Sequence, residues 1–355
     1  MMNFTIHCIH TFTFPHQILP YCRPLSLTLN NINYVRGLYA LLPEQLRQYC
    51  TSESVQKFTV SSLHKSTPCF VPSHRTVTDS DVKLLETFVA RSKRLFVLTG
   101  AGVSTESGIP DYRSEGVGLY AKSKNRPVQY QDFLKSAALR QRYWARNFVG
   151  WPRFSSFEPN DTHKTFSRWE YFKKIHWLVT QNVDALHYKA GSQKVTELHG
   201  SAHRVVCLDC KFQMKRTVLQ EMIQEQNPSW QQRSEEIAPD GDVQLSEEQI
   251  QGFQVPCCPN CGGVLKPEIV FFGDNVARDV VDFVYSRLHE CDAMLIAGSS
   301  LQVFSGYRIA HAAKEMKIPL AIVNIGSTRA DKIVDFRIDT RCGDILPRIK
   351  LSSSG

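Results

Sequence analysis

Along this chain apolar positions first settle into a regular period after Thr78. Val82, Leu85 and Val89, with Leu84 and Phe88, recur at helical spacing behind the start signal Thr78-Asp79-Ser80-Asp81, which predicts an amphipathic helix opening near Asp79. The short run Leu95-Phe96-Val97-Leu98 follows and ends in Thr99-Gly100-Ala101-Gly102; it reads as a buried strand running into a glycine turn. Similar runs recur at Trp177-Leu178-Val179, Ala293-Met294-Leu295-Ile296 and Leu320-Ala321-Ile322-Val323. Each closes on small or polar residues, namely Thr180-Gln181-Asn182, Gly298-Ser299-Ser300 and Asn324-Ile325-Gly326. Helical stretches such as 278–289 and 305–316 alternate with them. This alternation predicts an α/β fold, a doubly wound parallel Rossmann-like sheet. Such sheets bind ligands beyond the carboxyl ends of their strands, where these small residues lie.

Two stretches break the pattern. Between about 203 and 264 the chain carries five cysteines and an acidic segment, Gln224 to Val255, and reads as a small inserted module. Residues 1–78 hold only Glu44 and Glu53 as acids, against Arg23, Arg36, Arg47, Lys57, Lys65 and Arg75, with Ser and Thr throughout. This acid-poor, hydroxyl-rich profile fits a mitochondrial transit segment. The first charge is Arg23 rather than an earlier arginine, so a tail with no addressing role fits the same residues. The domain expectation is an extension over 1–78, a main domain over 79–349 and a tail over 350–355.

Composition narrows the class without naming a function. The 355 residues are 42% hydrophobic and 21% charged, which excludes bulk disorder and a disulfide-dense miniprotein. No run of about 18 uncharged apolar residues appears, so no membrane span is expected. The net charge of +8 is modest for this length and does not imply nucleic acid. Eleven cysteines, an odd number with pairs at C-x-x-C spacing, fit a reducing compartment and metal binding better than disulfides.

Cys207-x-x-Cys210 and Cys258-x-x-Cys261 have the spacing of a four-thiolate zinc ribbon. Cys258 is preferred over Cys257 because only it leaves two residues before Cys261. Four thiolates leave no open coordination position, so one structural Zn2+ is expected and not a catalytic one. The turn Gly100-Ala101-Gly102-Val103-Ser104 would let backbone N–H groups approach a pyrophosphate. Thr105 stands where the third glycine of the dinucleotide fingerprint would fall. His199, in Glu197-Leu198-His199-Gly200, and His187, in Gln181-Asn182-Val183-Asp184-Ala185-Leu186-His187, are both candidate bases, and spacing does not choose between them.

Together these pieces resemble the sirtuin family, class II. The resemblance rests on GAGVSTESGIPDYRS (100–114), TQNVDALH (180–187), ELHG (197–200), the cysteine pairs, VFFGD (270–274), GSSLQV (298–303) and VNIG (323–326), and covers about 79–349. RQRYWARNFVGWP (140–152) and APDGDVQLSEEQ (238–249) resemble the mitochondrial lipoamidase and ADP-ribosyltransferase branch. It implies NAD-dependent removal of acyl groups from protein lysine: the acyl oxygen attacks the nicotinamide-bearing ribose carbon, nicotinamide leaves, and a histidine base assists a ribose hydroxyl. NAD would be consumed as a co-substrate.

Carried over residue by residue, the resemblance places His199 as general base with Asn182 and Asp184 as catalytic partners. The cofactor wall would comprise Gly100, Ala101, Gly102, Ser104, Glu106, Ile109, Pro110, Asp111, Tyr112, Arg113, Tyr120, Gln181, Val183, Gly298, Ser299, Ser300, Asn324, Ile325, Gly326 and Cys342. Val270, Phe271 and Phe272 would form a strand pairing with substrate backbone. Glu106, Ser107 and Tyr112 depart from the commoner deacetylase pattern, and the expectation puts them near the acyl mouth. There Leu119 and Tyr120 offer apolar contact and no arginine clamp appears, so long apolar acyl groups such as lipoyl are expected over acetyl or acidic ones. The turn Pro239-Asp240-Gly241-Asp242, joined to a helix starting at Ser246-x-x-Gln249, could roof that channel or be surface elaboration. The implied partners are acyl-lysine proteins, mitochondrial metabolic enzymes among them, met by a monomer in the matrix without nucleic acid or membrane. Rival readings are a nicotinamide dehydrogenase, a zinc-ribbon nucleic-acid binder, and an NAD-binding zinc protein acting mainly as a regulatory module.

Overall fold

The structure is a computed structural model that describes residues 70–122, 126–234 and 237–351. The proposed transit segment therefore lies, up to residue 69, outside the described residues, as does the tail from 352. The strands are β1 (Leu95–Thr99), β2 (Ile175–Thr180), β3 (Val195–Glu197), β4 (Gly200–Cys207), β5 (Gln213–Lys215), β6 (Leu265–Ile269), β7 (Ala293–Ala297), β8 (Leu320–Val323) and β9 (Phe336–Ile338). They form a six-stranded sheet, β3-β2-β1-β7-β8-β9, and a three-stranded sheet, β5-β4-β6. Every pairing in the larger sheet is parallel; both pairings in the smaller one are antiparallel.

The helices are α1 (Asp79–Arg91), α2 (Leu119–Lys122), α3 (Tyr130–Lys135), α4 (Ala137–Ser155), α5 (Asp161–Tyr171), α6 (Leu186–Lys189), α7 (Arg216–Gln226), α8 (Glu247–Ile250), α9 (Arg278–His289), α10 (Phe304–Glu315) and α11 (Cys342–Ile345). Helix α1 starts where the sequence places it, because Thr78 and Asp81 form a reciprocal capping box. Leu85 and Val89 are buried on its core face, whereas Leu84 is 45% exposed and does not join that face. Among the described residues no helix is long and apolar enough to cross a membrane.

All five residues of β1 are buried because helices cover both faces of the sheet. Side chains alternate across a strand, so Leu95 and Val97 join one apolar cluster while Phe96 and Leu98 join the other. A third cluster links α3 and α4 to the smaller sheet and the insert. The module spans β4 to β6, slightly wider than the expected 203–264. Residues Phe70–Thr78, read from sequence as part of the extension, belong to the folded body: Phe70 is buried and Val77 packs on the first cluster.

Chain order reverses between β1 and β7, which lie side by side at the centre. Loops leaving these two strands diverge at their carboxyl ends and open a crevice, the topological switch point of a doubly wound sheet.

Candidate functional site

A cavity of about 1140 Å³ occupies that crevice, lined by the loops after β1, β2, β7 and β8 and by residues 269–276. Its floor is built backbone on backbone. The Gly102 N–H donates to the Gly298 carbonyl at 2.9 Å, and a Cβ at residue 102 would lie 2.8 Å from that oxygen. Gly298 itself sits at φ +57°, a left-handed conformation that favours glycine. Both glycines are needed for the two turns to meet.

Behind the glycine turn lies a buried polar chain. Asn182 Nδ2 donates to the Gly100 carbonyl at 3.1 Å and to Ser104 Oγ at 3.0 Å. Ser104 Oγ–H donates to Asp184 Oδ2 at 2.7 Å, and the Leu186 N–H caps Asp184 Oδ1 at 2.9 Å. Burial pushes the Asp184 carboxyl above its ordinary range. Gln181 Nε2 donates to the Thr99 carbonyl at 3.1 Å and to Ser299 Oγ at 2.8 Å, tying the loops after β1, β2 and β7 together.

The two histidines separate cleanly in space. His187 is 1% exposed and does not line the cavity. Its Nε2 meets Thr99 Oγ1 at 3.0 Å, its ring packs tilted against that of His163 with centroids 4.7 Å apart, and burial holds its pKa down to about 3. His199 does line the cavity. Its Nδ1 lies 2.9 Å from the Gln181 carbonyl, which fixes the N–H there and leaves Nε2 as the acceptor. Nε2 meets Ser305 Oγ at 2.8 Å. Burial lowers the His199 pKa to about 4, so the ring is neutral near pH 7 and able to accept a proton. Ser305, on the first turn of α10, escaped the sequence reading; nothing in its local pattern points to His199.

Of the expected cofactor wall, Gly100, Ala101, Gly102, Ser104, Ile109, Pro110, Asp111, Tyr112, Arg113, Gln181, Asn182, Val183, Asp184, Gly298, Ser299, Ser300, Asn324, Ile325 and Gly326 line the cavity. Glu106, Tyr120 and Cys342 are not among the residues lining it. Glu106 turns away to accept the Gly343 N–H at 3.0 Å. Tyr120 supports Tyr112 from behind, ring centroids 5.8 Å apart. Cys342 points its thiol at the Val323 carbonyl, within the core.

Ser107 accepts from Asn160 Nδ2 at 3.0 Å, so of Glu106, Ser107 and Tyr112 only Tyr112 reaches the cavity. Leu119 and Tyr120 stay outside it. The apolar wall comes instead from Ile109, Tyr112, Val128, Tyr143, Phe271 and Phe272. Val270, Phe271 and Phe272 follow β6 without extending it. Phe272 makes a single bridge to Gln129, and Phe271 packs on Phe133 and Tyr143. The insert reaches the site: Pro239, Asp240 and Asp242 line the same cavity. Arg146 on α4 holds Asp242 at 2.7 Å. The expected short helix is α8, opened by a Ser246–Gln249 capping box.

Away from this cavity, Cys207, Cys210, Cys258 and Cys261 bring their sulfurs within 4.8 Å of one another. Sγ–Sγ separations are 3.5 Å for Cys207–Cys261 and 3.7 Å for Cys210–Cys258. Tetrahedral zinc with Zn–S bonds of about 2.3 Å spaces its sulfurs by roughly 3.8 Å, so the four thiols fit that ion. Cys257 is exposed and outside the cluster.

Fold and site together define a doubly wound nucleotide-binding domain carrying a four-cysteine metal module. The Sir2 family model matches residues 100–305. The NAD-dependent protein lipoamidase sirtuin-4, mitochondrial, of Bos taurus is 59% identical over 285 residues, 80% of this chain and 90% of that protein. The NAD-dependent protein deacylase Sirt4 of Drosophila melanogaster is 50% identical over 295 residues, 82% of this chain and 95% of its own. A solved structure described as "Sir2-p53 peptide-NAD+" superposes with a TM-score of 0.60 at 26% identity, over 76% of this chain and 96% of that one. The chain belongs to the Sir2 family.

Proposed function

We infer that this chain is an NAD-dependent protein-lysine deacylase of the sirtuin kind, with one structural zinc. The observation that carries the reading is His199, a neutral imidazole with Nδ1 tied to Gln181 and Nε2 facing a cavity floored by the glycine turn. The relatives' names, lipoamidase and deacylase, support the same chemistry. When bound, NAD supplies the ribose carbon that receives the acyl oxygen, with nicotinamide as leaving group. The backbone N–H groups of residues 100–104 would receive the pyrophosphate, and Gly298, Ser299 and Asn324 the adenosine side. Asn182 and Asp184 would orient the nicotinamide ribose. His199 Nε2 would take the proton of a ribose hydroxyl, with Ser305 displaced as that hydroxyl enters. The regulatory-module reading is disfavoured, because a scaffold does not need a base aligned by Gln181.

Substrates in this reading are acyl-lysine proteins, and the apolar wall of Ile109, Tyr112, Val128 and Phe271 supports long apolar acyl groups such as lipoyl. A mitochondrial setting is supported by the acid-poor extension and by the relatives named mitochondrial; the matrix is the compartment we propose. A fluorescent reporter fused to residues 1–69 that stayed cytosolic would count against it.

His199→Ala tests the mechanism. It is expected to keep ADP-ribose binding while losing roughly 10²–10⁴ in deacylation rate. Near-normal turnover of a lipoyl-lysine peptide by this variant would reject His199 as the base.

A further inference from the structure

The nucleotide end of the cavity has a wall that the family motifs do not include. Pro72, Ser73, His74 and Arg75 line the cavity together with Asn324 to Ser327 and Asp339. These four residues precede α1 and come from the stretch that reads, in sequence, as extension. They are not draped loosely. His74 Nε2 lies 3.1 Å from Asp344 Oδ2, and Thr340 Oγ1 donates to the Arg75 carbonyl at 3.2 Å. The Arg75 guanidinium donates to both oxygens of Asp81, at 2.6 and 2.8 Å, a bidentate pair that fixes orientation.

The stretch from Phe70 to Arg75 is linked to both ends of the loop that follows β1, at one end through a relay and at the other by a direct contact. At the near end Asp344, the His74 partner, also accepts from Arg341. Arg341 Nε stands 3.9 Å from Glu106 Oε2, and Glu106 Oε1 accepts the Gly343 N–H. At the far end the Lys122 ammonium lies over the Phe70 ring, 5.3 Å from its centroid. Between Glu106 and Lys122 run Ile109 to Arg113, all of which line the cavity. Glu106, unexplained as a direct contact, thus has its role as the anchor of this network.

We propose that Pro72–Arg75 form a nucleotide-binding strap, which closes the adenosine end of the cavity and latches the loop over the dinucleotide through His74, Asp344, Arg341 and Glu106. The ligand it would take is the adenosine diphosphate ribose portion, so the inference rests on the NAD reading above. A strap that binds there lowers the dissociation of nucleotide and leaves acyl-peptide recognition, at the other end of the cavity, untouched.

The test compares the full chain with His74→Ala, which cuts the strap from Asp344, and with Ser73→Trp, which adds bulk at the wall and keeps every anchor. Calorimetric titration with ADP-ribose reads binding without turnover, and steady-state KM values for NAD and for one lipoyl-lysine peptide separate the two substrates. Both variants are expected to weaken ADP-ribose binding about five- to tenfold, up to about 1.4 kcal/mol, and to raise KM for NAD in step while KM for the peptide stays put. ADP-ribose affinity equal to wild type in both variants would overturn the strap while the NAD reading stood. Parallel rises in both KM values would overturn it as well, since they would mark a general disturbance. A wild-type chain that failed to bind ADP-ribose would remove the nucleotide site itself and the strap with it.

Discussion

Gly150→Ala is the sharpest single probe of how the insert reaches the acyl side. Gly150 lies on α4 where the Gly241 carbonyl crosses it, and a Cβ there would sit 2.0 Å from that oxygen and 2.9 Å from Val243 Cγ1. Carbon and oxygen settle no closer than about 3.3 Å, so the turn must retreat by roughly 1.3 Å. Gly241 cannot adjust easily, since it sits at φ +82° against the Phe154 ring. Retreat also stretches the Arg146–Asp242 pair and the Arg146 bond to the Val243 carbonyl. Alanine gains about 1 kcal/mol of helix propensity over glycine. Overpacking costs about 1–3 kcal/mol and the two weakened polar contacts about 1 kcal/mol each. The net expectation is a loss of about 2–4 kcal/mol in urea unfolding. The functional reading follows from the roof that moves. If lipoyl loses the burial of two methylenes, about 1.6 kcal/mol, the lipoyl-to-acetyl ratio of kcat/KM falls more than tenfold. A variant stabilised by about 1 kcal/mol, the propensity gain alone, with an unchanged acyl ratio would refute the packing of the turn on α4.

Two further outcomes follow from the metal cluster and the buried histidines. Cys258→Ser is expected to lose bound zinc and melt the module, while Cys257→Ser keeps both, as read by metal analysis and circular dichroism; the reverse pattern would reassign the ligand. His187 has a folded pKa of about 3 against about 6.5 unfolded, so the unfolded state binds the extra proton and stability falls with acid. Between pH 7.5 and 5.5 wild type should lose about 1.4 kcal/mol relative to His187→Gln. That difference isolates His187 from the carboxyls whose raised pKa values act in the opposite sense, Asp184 and Asp242 among them; a pH-independent gap would mean His187 is not buried neutral.

What the sequence made legible is what local pattern encodes. Strands β1, β2, β7 and β8 stood out because burial on both faces demands uninterrupted apolar runs, and α1 and α8 because their caps are spelled within four residues. The cysteine pairs were readable for the same reason: coordination fixes their spacing. Outside that reach lay every feature set by contacts distant in sequence. Nothing near Ser305 shows that it will meet His199, nor does the run from Pro72 to Arg75 announce a wall for the cavity. Glu106 looked like a mouth residue and is turned away by Gly343, while Tyr120 packs against Tyr112 and Cys342 turns its thiol to the Val323 carbonyl. A periodic pattern tells whether a side chain is buried; it does not tell which side of a turn it leaves from.

The insert leaves the end of α7 at Asn227 and returns at Gln254, where the Asn227 side chain hydrogen-bonds the Gln254 backbone, four residues before the metal-cluster residue Cys258, while its Pro239–Asp242 turn lines the cavity. The nucleotide floor is drawn from the parallel sheet. The two substrates are thereby held by parts of unequal resilience, one a deeply packed sheet, the other a module whose cohesion depends on an ion. Chelation should first loosen the choice of acyl group and only later the grip on nucleotide. In hydrogen exchange this would appear as early loss of protection over 200–269, with β1 and β7 still closed; simultaneous opening of both would mean the chain melts as one piece.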